Sequence, residues 1–597
     1  MCGIVGYVGS KLALPVLMRG LASLEYRGYD SAGVVFSEQS TLTVFKRTGR
    51  INSLNNYLKN KLIASGCGIG HTRWATHGGP SNTNSHPHTD EFGSVAVVHN
   101  GIIENYAELK ACLIAEGVVF KSETDTEVIA HLLSKFYKGN PLDALIKTCK
   151  LLHGSYALAA LFKADNEQIV AARNGSPLVI GIGQNENFIA SDALALLPYT
   201  NSFIELNNNQ FSVITQNSVK VYDPSGKKIA ANPKTVQLDI QQAVMGNYPH
   251  YMLKEINEVP RSVTDTLAQL ENNSSLNHIP DSVFAQAKDF HIVACGTALN
   301  AGLVLKDLLA RKLRLNVTSD FASEFRYKSP KLSRKSLCIF ISQSGETADT
   351  LACVQLAKEH GAITIAVTNV VGSTICSMAD YIIPTRAGPE IAVASTKAYS
   401  AQLTAGYYIA LHMAKLLRKK ALSYTIADLY AAANVLEAFL PELNLSETVS
   451  LVKSRQSIYY IGRGLDYCVA LEGSLKLKEI SYIHCEAFPC GELKHGSLAL
   501  IEPNTFVLCI ITQADLIEKS VNAIHEIKAR GGKVILLTQF PSLDQYADIT
   551  VTLPQAADEL MPLISVLPLQ LLAYKTAAAK GFDPDKPRNL AKSVTVE

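Results

Sequence analysis

Two stretches of this chain, 170 residues apart, follow the same pattern, and that repeat limits its architecture more than any other feature. One copy reads Ile292-Val-Ala-Cys-Gly296, then Ile341-Ser-Gln-Ser-Gly-Glu-Thr347, then Gly361 ahead of Ile363–Asn369. The other reads Tyr460-Ile-Gly-Arg-Gly464, then Ile511-Thr-Gln-Ala-Asp-Leu-Ile517, then Gly531 ahead of Lys533–Gln539. The separation stays at 170 from Ile341/Ile511 to Thr368/Thr538 without a gap. Each copy alternates strand, loop and long helix, which predicts parallel sheet with helices on both faces. Two related α/β units are therefore expected, at 251–425 and 426–586, followed by a tail at 587–597.

The first 234 residues have a different texture. Short β-like runs (Gly3–Val8, Gly33–Phe36, Val95–His99, Tyr156–Phe162) are separated by turn residues, with one helical pattern near Asp125–Tyr137. This predicts an α+β domain of layered, largely antiparallel sheets. The polar stretch 235–250 reads as a linker. At 597 residues, 47% hydrophobic and 18% charged, the chain is long enough for several cores. Its formal net charge of +2 gives no field for nucleic acid or an anionic membrane, so any phosphate must be held by local donors. No basic segment followed by an apolar stretch opens the chain, so no signal peptide is expected. Ala398–Ala414 is the most tempting membrane segment, but it is short and carries Ser400, Gln402, Thr404 and His412, which fits a buried helix. The twelve cysteines form no Cys-x-x-Cys and several lie in apolar runs, as in a reduced cytoplasmic protein.

Cys2 stands apart from the other cysteines. With Met1 removed it carries a thiol and a free amine together, with ordinary pKa values near ~8.5 and ~7.7–8.0, so the amine can accept the thiol proton. Gly3 leaves room beside it. His71-Thr-Arg-Trp-Ala-Thr-His-Gly-Gly79 puts a guanidinium and the only tryptophan in one loop, and Arg73 can clamp a carboxylate through two parallel hydrogen bonds. Asn100-Gly101, after the strand Val95–His99, offers a side-chain amide and a backbone N–H to a developing oxyanion. Ser122-Glu-Thr-Asp-Thr126 places Asp125 where an α-ammonium group could sit. Singly, these are a surface arginine, an Asn-Gly turn and a helix cap; together they match what glutamine hydrolysis requires. His86-Pro-His88 and His99 read as structural rather than as a zinc site, for want of a fourth well-spaced ligand.

In the first repeat an apolar strand, Leu337–Ile341, runs into Ser342-Gln-Ser-Gly-Glu-Thr347 and then a helix through Ala357. Hydroxyls, a glycine and N–H groups at a helix start suit a phosphate dianion. No lysine follows the glycine, so the phosphate belongs to a small substrate rather than a nucleotide; a plain Ser/Thr helix cap is the ordinary alternative. Cys295-Gly-Thr-Ala298 and Val393-Ala-Ser-Thr-Lys397 add donors on the edge where parallel sheets collect ligands. The second copy, Thr512-Gln-Ala-Asp-Leu-Ile517, has lost the glycine and two hydroxyls and carries Asp515. One phosphate receptor per chain is expected.

The N-terminal segments resemble the glutamine-hydrolysing domain of the N-terminal-nucleophile amidotransferases. The whole chain, including Pro587–Glu597, is similar to the isomerising glutamine–fructose-6-phosphate aminotransferases (glucosamine-6-phosphate synthases), bacterial type. The resemblance implies conversion of L-glutamine and fructose 6-phosphate to glutamate and glucosamine 6-phosphate, without a cofactor, by a cytoplasmic homodimer. It implies Cys2 as nucleophile, Asn100 and Gly101 as oxyanion hole, Arg73, Thr76, His77 and Asp125 as glutamine contacts, and Trp74 as a gate on an ammonia path. It assigns Thr297, Ser342, Gln343, Ser344, Thr347 and Ser395 to the sugar phosphate. Ala298 departs from the serine of related sequences. Lys476, Glu479 and His495 lie in Leu471–Leu500, which reads as helix, glycine turn and short segment. By resemblance Glu479 is the base that moves the proton between adjacent carbons, His495 of a neighbouring subunit opens the ring, and Lys592 forms a Schiff base with the ketone.

Other classes fit less well. A phosphoribosyl-transferring amidotransferase would need an acidic run after a strand, and an asparagine synthetase a Ser-Gly-Gly-x-Asp-Ser loop; neither is present. A sugar-phosphate sensor without enzymatic activity would have no use for Cys2 or the Arg73–His77 loop.

Overall fold

The protein is described by a computed structural model covering residues 2–595 apart from 39, 76, 236–243, 273–275 and 277. Most of the expected linker therefore lies outside the described residues. Two compact units emerge, one of residues Met1–Val244 with Ala591–Glu597, the other of Met245–Leu590.

In the first unit two antiparallel sheets stack face to face. One has strand order Lys234–Thr235, Ser202–Glu205, Val179–Ile182, Glu186–Ala190, Gly3–Gly9, Cys67–Arg73, Ser31–Glu38, Thr41–Thr48. The other runs Lys228–Ile229, Ser218–Tyr222, Gln210–Thr215, Asp165–Asn174, Gly154–Phe162, Val95–Ile103, His88–Thr89. Ile4, Val35, Ile69, Val98, Ala157 and Ile169 interdigitate between them, the arrangement expected of strands whose inner faces are apolar. Helices Ala13–Ser23 and Ile51–Leu58 cover the outer face of the first sheet, and Glu127–Phe136 and Pro141–Cys149 that of the second. The layered α+β domain is borne out, with one correction: the strand at Val95 continues to Ile103, so Asn100-Gly101 lies inside it rather than after it. Antiparallel pairing of Asn100 with Ala157 and of Gly101 with Tyr156 carries the ladder through.

The second unit contains two five-stranded parallel sheets of the same order. The first runs Val317–Phe321, Asp289–Ala294, Ser336–Ser342, Ile363–Thr368, Tyr381–Pro384. The second runs His484–Pro489, Ser457–Gly462, Phe506–Ile511, Lys533–Thr538, Ile549–Thr552. The repeat read from the sequence is thus a repeat of topology. A single apolar core spans both halves, built around Lys397–Leu416, Leu465–Ser481 and Met561–Ala579. Asp558–Ala579 is long and apolar enough to cross a membrane, yet 94% of its most apolar window is buried within the protein, as in a core helix. Ala398–Ala414 is likewise a buried helix, but it is not the most apolar one. The stretch after Ser481 also differs from expectation: His484–Pro489 is an edge strand paired in parallel with Ser457–Gly462. Buried Cys485 alternates with exposed His484 and Glu486 at its start, as on a strand with one face in solvent.

Candidate functional sites

The chain start is drawn into the first unit by sheet register. Gly3 pairs with Thr72 and Ile4 with His71, so Cys2 falls beside the end of the strand that carries Arg73 and Trp74. Cys2 Sγ accepts a hydrogen bond from Trp74 N at 3.2 Å and approaches Trp74 O at 3.6 Å. Burial pushes the Cys2 thiol above its ordinary value, while the chain's terminal amine, the Trp74 N–H and Arg73 pull the other way. Asn100 Nδ2 donates to Cys2 O at 2.9 Å. Residues 72 and 98 positions away thus meet Cys2, one at its thiol and the other at its backbone carbonyl.

Gly101 sits at φ +132°, and a Cβ there would lie 2.0 Å from Ser155 O, so a side chain at this position is excluded twice over. Asp125 accepts from Ile103 N at 2.9 Å, tying the turn before Glu127–Phe136 to the strand that carries Asn100. Arg73 is 3% exposed. Its Nη2 donates to His77 O and, at 2.9 Å, to Gly78 O, while Nη1 has no hydrogen-bond partner among the described residues. A buried guanidinium nitrogen left without an acceptor is costly, and an arriving carboxylate would satisfy it. Trp74 meets Tyr29 edge to face at 5.5 Å, and His77 meets Tyr106 at 5.1 Å. Thr76 lies outside the described residues. His86, His88 and His99 are buried and engage Thr124 and Thr126. No group of three or more His, Cys, Asp or Glu side chains suited to a metal occurs among the described residues.

In the second unit the Ser342–Thr347 loop joins the strand Ser336–Ser342 to the helix Ala348–Glu359. Thr347 occupies the N-cap position but does not cap; its Oγ1 faces Ser342 Oγ at 3.2 Å. The plain helix-cap explanation of that hydroxyl therefore fails. Gly345 N donates to Ser342 Oγ at 3.0 Å and Glu346 N to Ser344 Oγ at 3.2 Å. Gly345 has φ +66°, and a Cβ would lie 2.0 Å from Ser373 Oγ, so the loop depends on glycine here. The Glu346 carboxylate is turned aside, accepting from Thr374 N and Thr374 Oγ1 at 2.7 Å each. Gln343 O accepts from Asn369 N at 3.2 Å. Ser395 Oγ donates to Glu390 at 2.8 Å, and the same carboxylate takes Thr396 N and Ala398 N. Ala298 packs against the apolar core.

The helix Leu465–Ser481 presents Glu472, Lys476 and Glu479 along one face. Lys476 Nζ donates to Glu479 at 2.6 Å and to Thr297 Oγ1 at 3.0 Å, and stands 3.6 Å from Glu472. Glu472 accepts from Thr297 Oγ1 at 3.1 Å and Asn300 Nδ2 at 2.8 Å. One network thus joins the two α/β halves. Burial pushes the Glu472 carboxyl up to about 7. Burial alone would lower Lys476, but the Glu479 and Glu472 carboxylates outweigh it and hold the ammonium above its usual value. Sequence reasoning missed Glu472 and Asn300; the spacing of Glu472 one turn before Lys476 was the available signal. His495 is not brought to this network: it is exposed at the end of the 3₁₀ turn Cys490–His495. Lys592 falls within the first unit.

The equivalent loop of the second copy is closed by the protein itself. Asp466 accepts from Thr512 N at 2.9 Å and from Thr512 Oγ1, and Asp558 accepts from Ala514 N at 2.7 Å. Asp515, which the sequence suggested as the source of negative charge, is instead exposed.

Comparison with known proteins agrees with this two-part construction. The glutamine amidotransferase domain family matches residues 71–198, and the SIS domain family matches 283–412 and 450–580. The glutamine–fructose-6-phosphate aminotransferase [isomerizing] of Caldanaerobacter subterraneus subsp. tengcongensis is 48% identical over the full length of both chains. That of Clostridium tetani is 47% identical, and that of Aquifex aeolicus 45%, also over the full length of both. Among solved structures, the C-terminal domain of glucosamine-fructose-6-phosphate aminotransferase from Francisella tularensis is 37% identical with a TM-score of 0.52, covering 57% of this chain and 99% of that one. A tagatose-6-phosphate ketose/aldose isomerase from Escherichia coli, 18% identical with a TM-score of 0.50 over 57% of this chain and 95% of that one, shares the fold of the second unit. With full-length identity near one half and both domain families in the order the fold requires, the chain belongs to the isomerising glutamine–fructose-6-phosphate aminotransferases.

Proposed function

We propose that the chain converts L-glutamine and D-fructose 6-phosphate to L-glutamate and D-glucosamine 6-phosphate. The observation that carries the glutamine half is the Cys2 thiol, which takes the Trp74 N–H while the Asn100 amide holds the Cys2 carbonyl. After removal of Met1 the freed amine takes the thiol proton as sulfur attacks the substrate carboxamide. Asn100 Nδ2 and Gly101 N–H receive the oxyanion, ammonia leaves, and water cleaves the thioester to glutamate. The unsatisfied Arg73 Nη1 donor suits the α-carboxylate, Asp125 the α-ammonium, and Thr76 and His77 complete the contacts. Trp74 then acts as gate for the ammonia.

In the second unit Ser342, Gln343, Ser344 and Thr347 receive the phosphate, with Thr297 and Ser395 on the sugar. His495 of a partner subunit opens the ring. Lys592 forms a Schiff base at C2, ammonia displaces it, and Glu479 carries the proton from C1 to C2 of the resulting imine, giving the aldose. Lys476, 2.6 Å away, fixes the Glu479 carboxylate. The working limits are a glutaminase domain at 1–234, a linker at 235–250, α/β domains at 251–425 and 426–586, and a C-terminal tail from 587, in a cytoplasmic homodimer. The test is formation of glucosamine 6-phosphate from the two substrates with ATP and divalent metal left out; failure to form it with either glutamine or ammonia would reject the reading.

A further inference from the structure

His71 lies wholly buried in the strand Cys67–Arg73, its ring stacked at 4.0 Å on His86. Its Nε2 is 2.9 Å from His99 O and 3.1 Å from Asn100 Oδ1. Both neighbours are acceptors. A bare ring nitrogen pointed at two oxygens would be repelled by both, so Nε2 must carry the hydrogen and share it between them. Nδ1 is then the lone-pair nitrogen, and it has no hydrogen-bond partner among the described residues, as that tautomer allows. Burial also drives the imidazole down to about 3, so it remains neutral across the working pH range.

The consequence reaches the reaction centre. An asparagine carboxamide can occupy its site in two orientations of nearly equal shape, exchanging oxygen and NH2. Here the oxygen end faces His71 and the NH2 end faces Cys2 O at 2.9 Å. Flipped, Oδ1 would face Cys2 O and the NH2 end would confront His71 Nε2–H, leaving two like pairs opposed.

We propose that His71 is a positioning residue for the thiol chemistry: as the Nε2–H tautomer it holds the Asn100 carboxamide with its nitrogen, not its oxygen, toward Cys2. It touches no reacting atom and transfers no proton. The proposal rests on the glutaminase reading above.

Two measurements on the full chain test it. Nitrogen-15 NMR of histidine-labelled protein should report a protonated ε and an unprotonated δ nitrogen for His71; a protonated δ nitrogen or an imidazolium overturns the proposal, and this needs no variant. His71→Leu should lower kcat for glutamine hydrolysis by about 10²–10³, the loss typical of one oxyanion donor, with KM within about threefold. His71→Gln, whose amide nitrogen reaches the same place, should stay within about tenfold of wild type. An unchanged kcat in His71→Leu, a loss expressed in KM, or a His71→Gln as poor as His71→Leu overturns it. Amide chemical shifts of first-unit residues remote from His71 that match the wild type certify that this unit is folded in each variant. Cys2→Ala separates the two levels: hydrolysis surviving that change rejects the glutaminase reading itself, whereas its loss beside an active His71→Leu rejects only the role of His71.

Discussion

The two halves of the sugar-phosphate unit share a topology but not a chemistry, and the difference predicts one anion site per chain. In the first half the loop N–H groups of Gly345 and Glu346 rest on serine hydroxyls, which can rotate to donate toward an arriving phosphate. In the second half the loop N–H groups of Thr512 and Ala514, the counterparts of Ser342 and Ser344, rest on the Asp466 and Asp558 side chains. Those side chains already take the N–H groups that an arriving phosphate would need. Ser344→Asp puts a comparable carboxylate on the first loop, at the counterpart of Ala514, whose N–H rests on Asp558. A carboxylate ~4 Å from a phosphate charge costs about 1 kcal/mol in bulk water and about 4 kcal/mol at an effective dielectric near 20. Ser344 is half-buried and open to solvent, so a value toward the lower limit, about 1–2 kcal/mol per unit charge, applies, and a dianion doubles it. The expected penalty of about 2–4 kcal/mol weakens binding roughly 30- to 1000-fold. Calorimetry with glucitol 6-phosphate, a stable open-chain analogue, should give one site per chain in the wild type and this loss in the variant. A stoichiometry of two sites per chain, or unchanged affinity in Ser344→Asp, would refute the reasoning.

Three other outcomes follow from the sites. Cys2→Ala should abolish glutamine hydrolysis while slow isomerisation to glucose 6-phosphate continues; mass spectrometry finding Met1 retained on active enzyme would contradict the role of the amine. Borohydride reduction in the presence of fructose 6-phosphate should label Lys592, and label on Lys476 would reassign the Schiff base. Burial pushes the Asp466 carboxyl up to about 7, so between its unfolded value near ~3.9 and that point the folded chain keeps a proton the unfolded chain has lost. Stability contributed at this position therefore falls as pH rises through that window. Asp466→Asn should flatten the decline in melting temperature over it and gain on the order of 2–4 kcal/mol at about pH 8; an unaltered slope would show that the carboxyl is not so perturbed.

Some of the molecule could be read locally. The strand–loop–helix alternation and the constant spacing of Ile341/Ile511 and Thr368/Thr538 announced two parallel α/β units, because periodicity and turn residues act over a few positions. The Ser342–Thr347 loop was legible for the same reason, and so was the Cys2-Gly3 start. Boundaries were less so: the strand through Asn100-Gly101 runs on because Gly154–Phe162 pairs with it, and the edge strand His484–Pro489 forms because Ser457–Gly462 lies beside it, partners that local sequence does not reveal.

The sequence by itself determined the kinds of unit, their order and the residue types able to hydrolyse an amide and hold a phosphate. Tertiary structure decided how those groups are wired. Sheet register brought Trp74 N and Asn100 Nδ2 to Cys2, and burial left Arg73 Nη1 without an acceptor. Packing of the two α/β halves set Lys476 between Thr297 and Glu479 over the buried Glu472, and seated Asp466 and Asp558, rather than Asp515, on the second loop. Hydrogen bonds and desolvation depend on distances of a few ångströms between residues tens to hundreds of positions apart, and only the closed fold sets those distances.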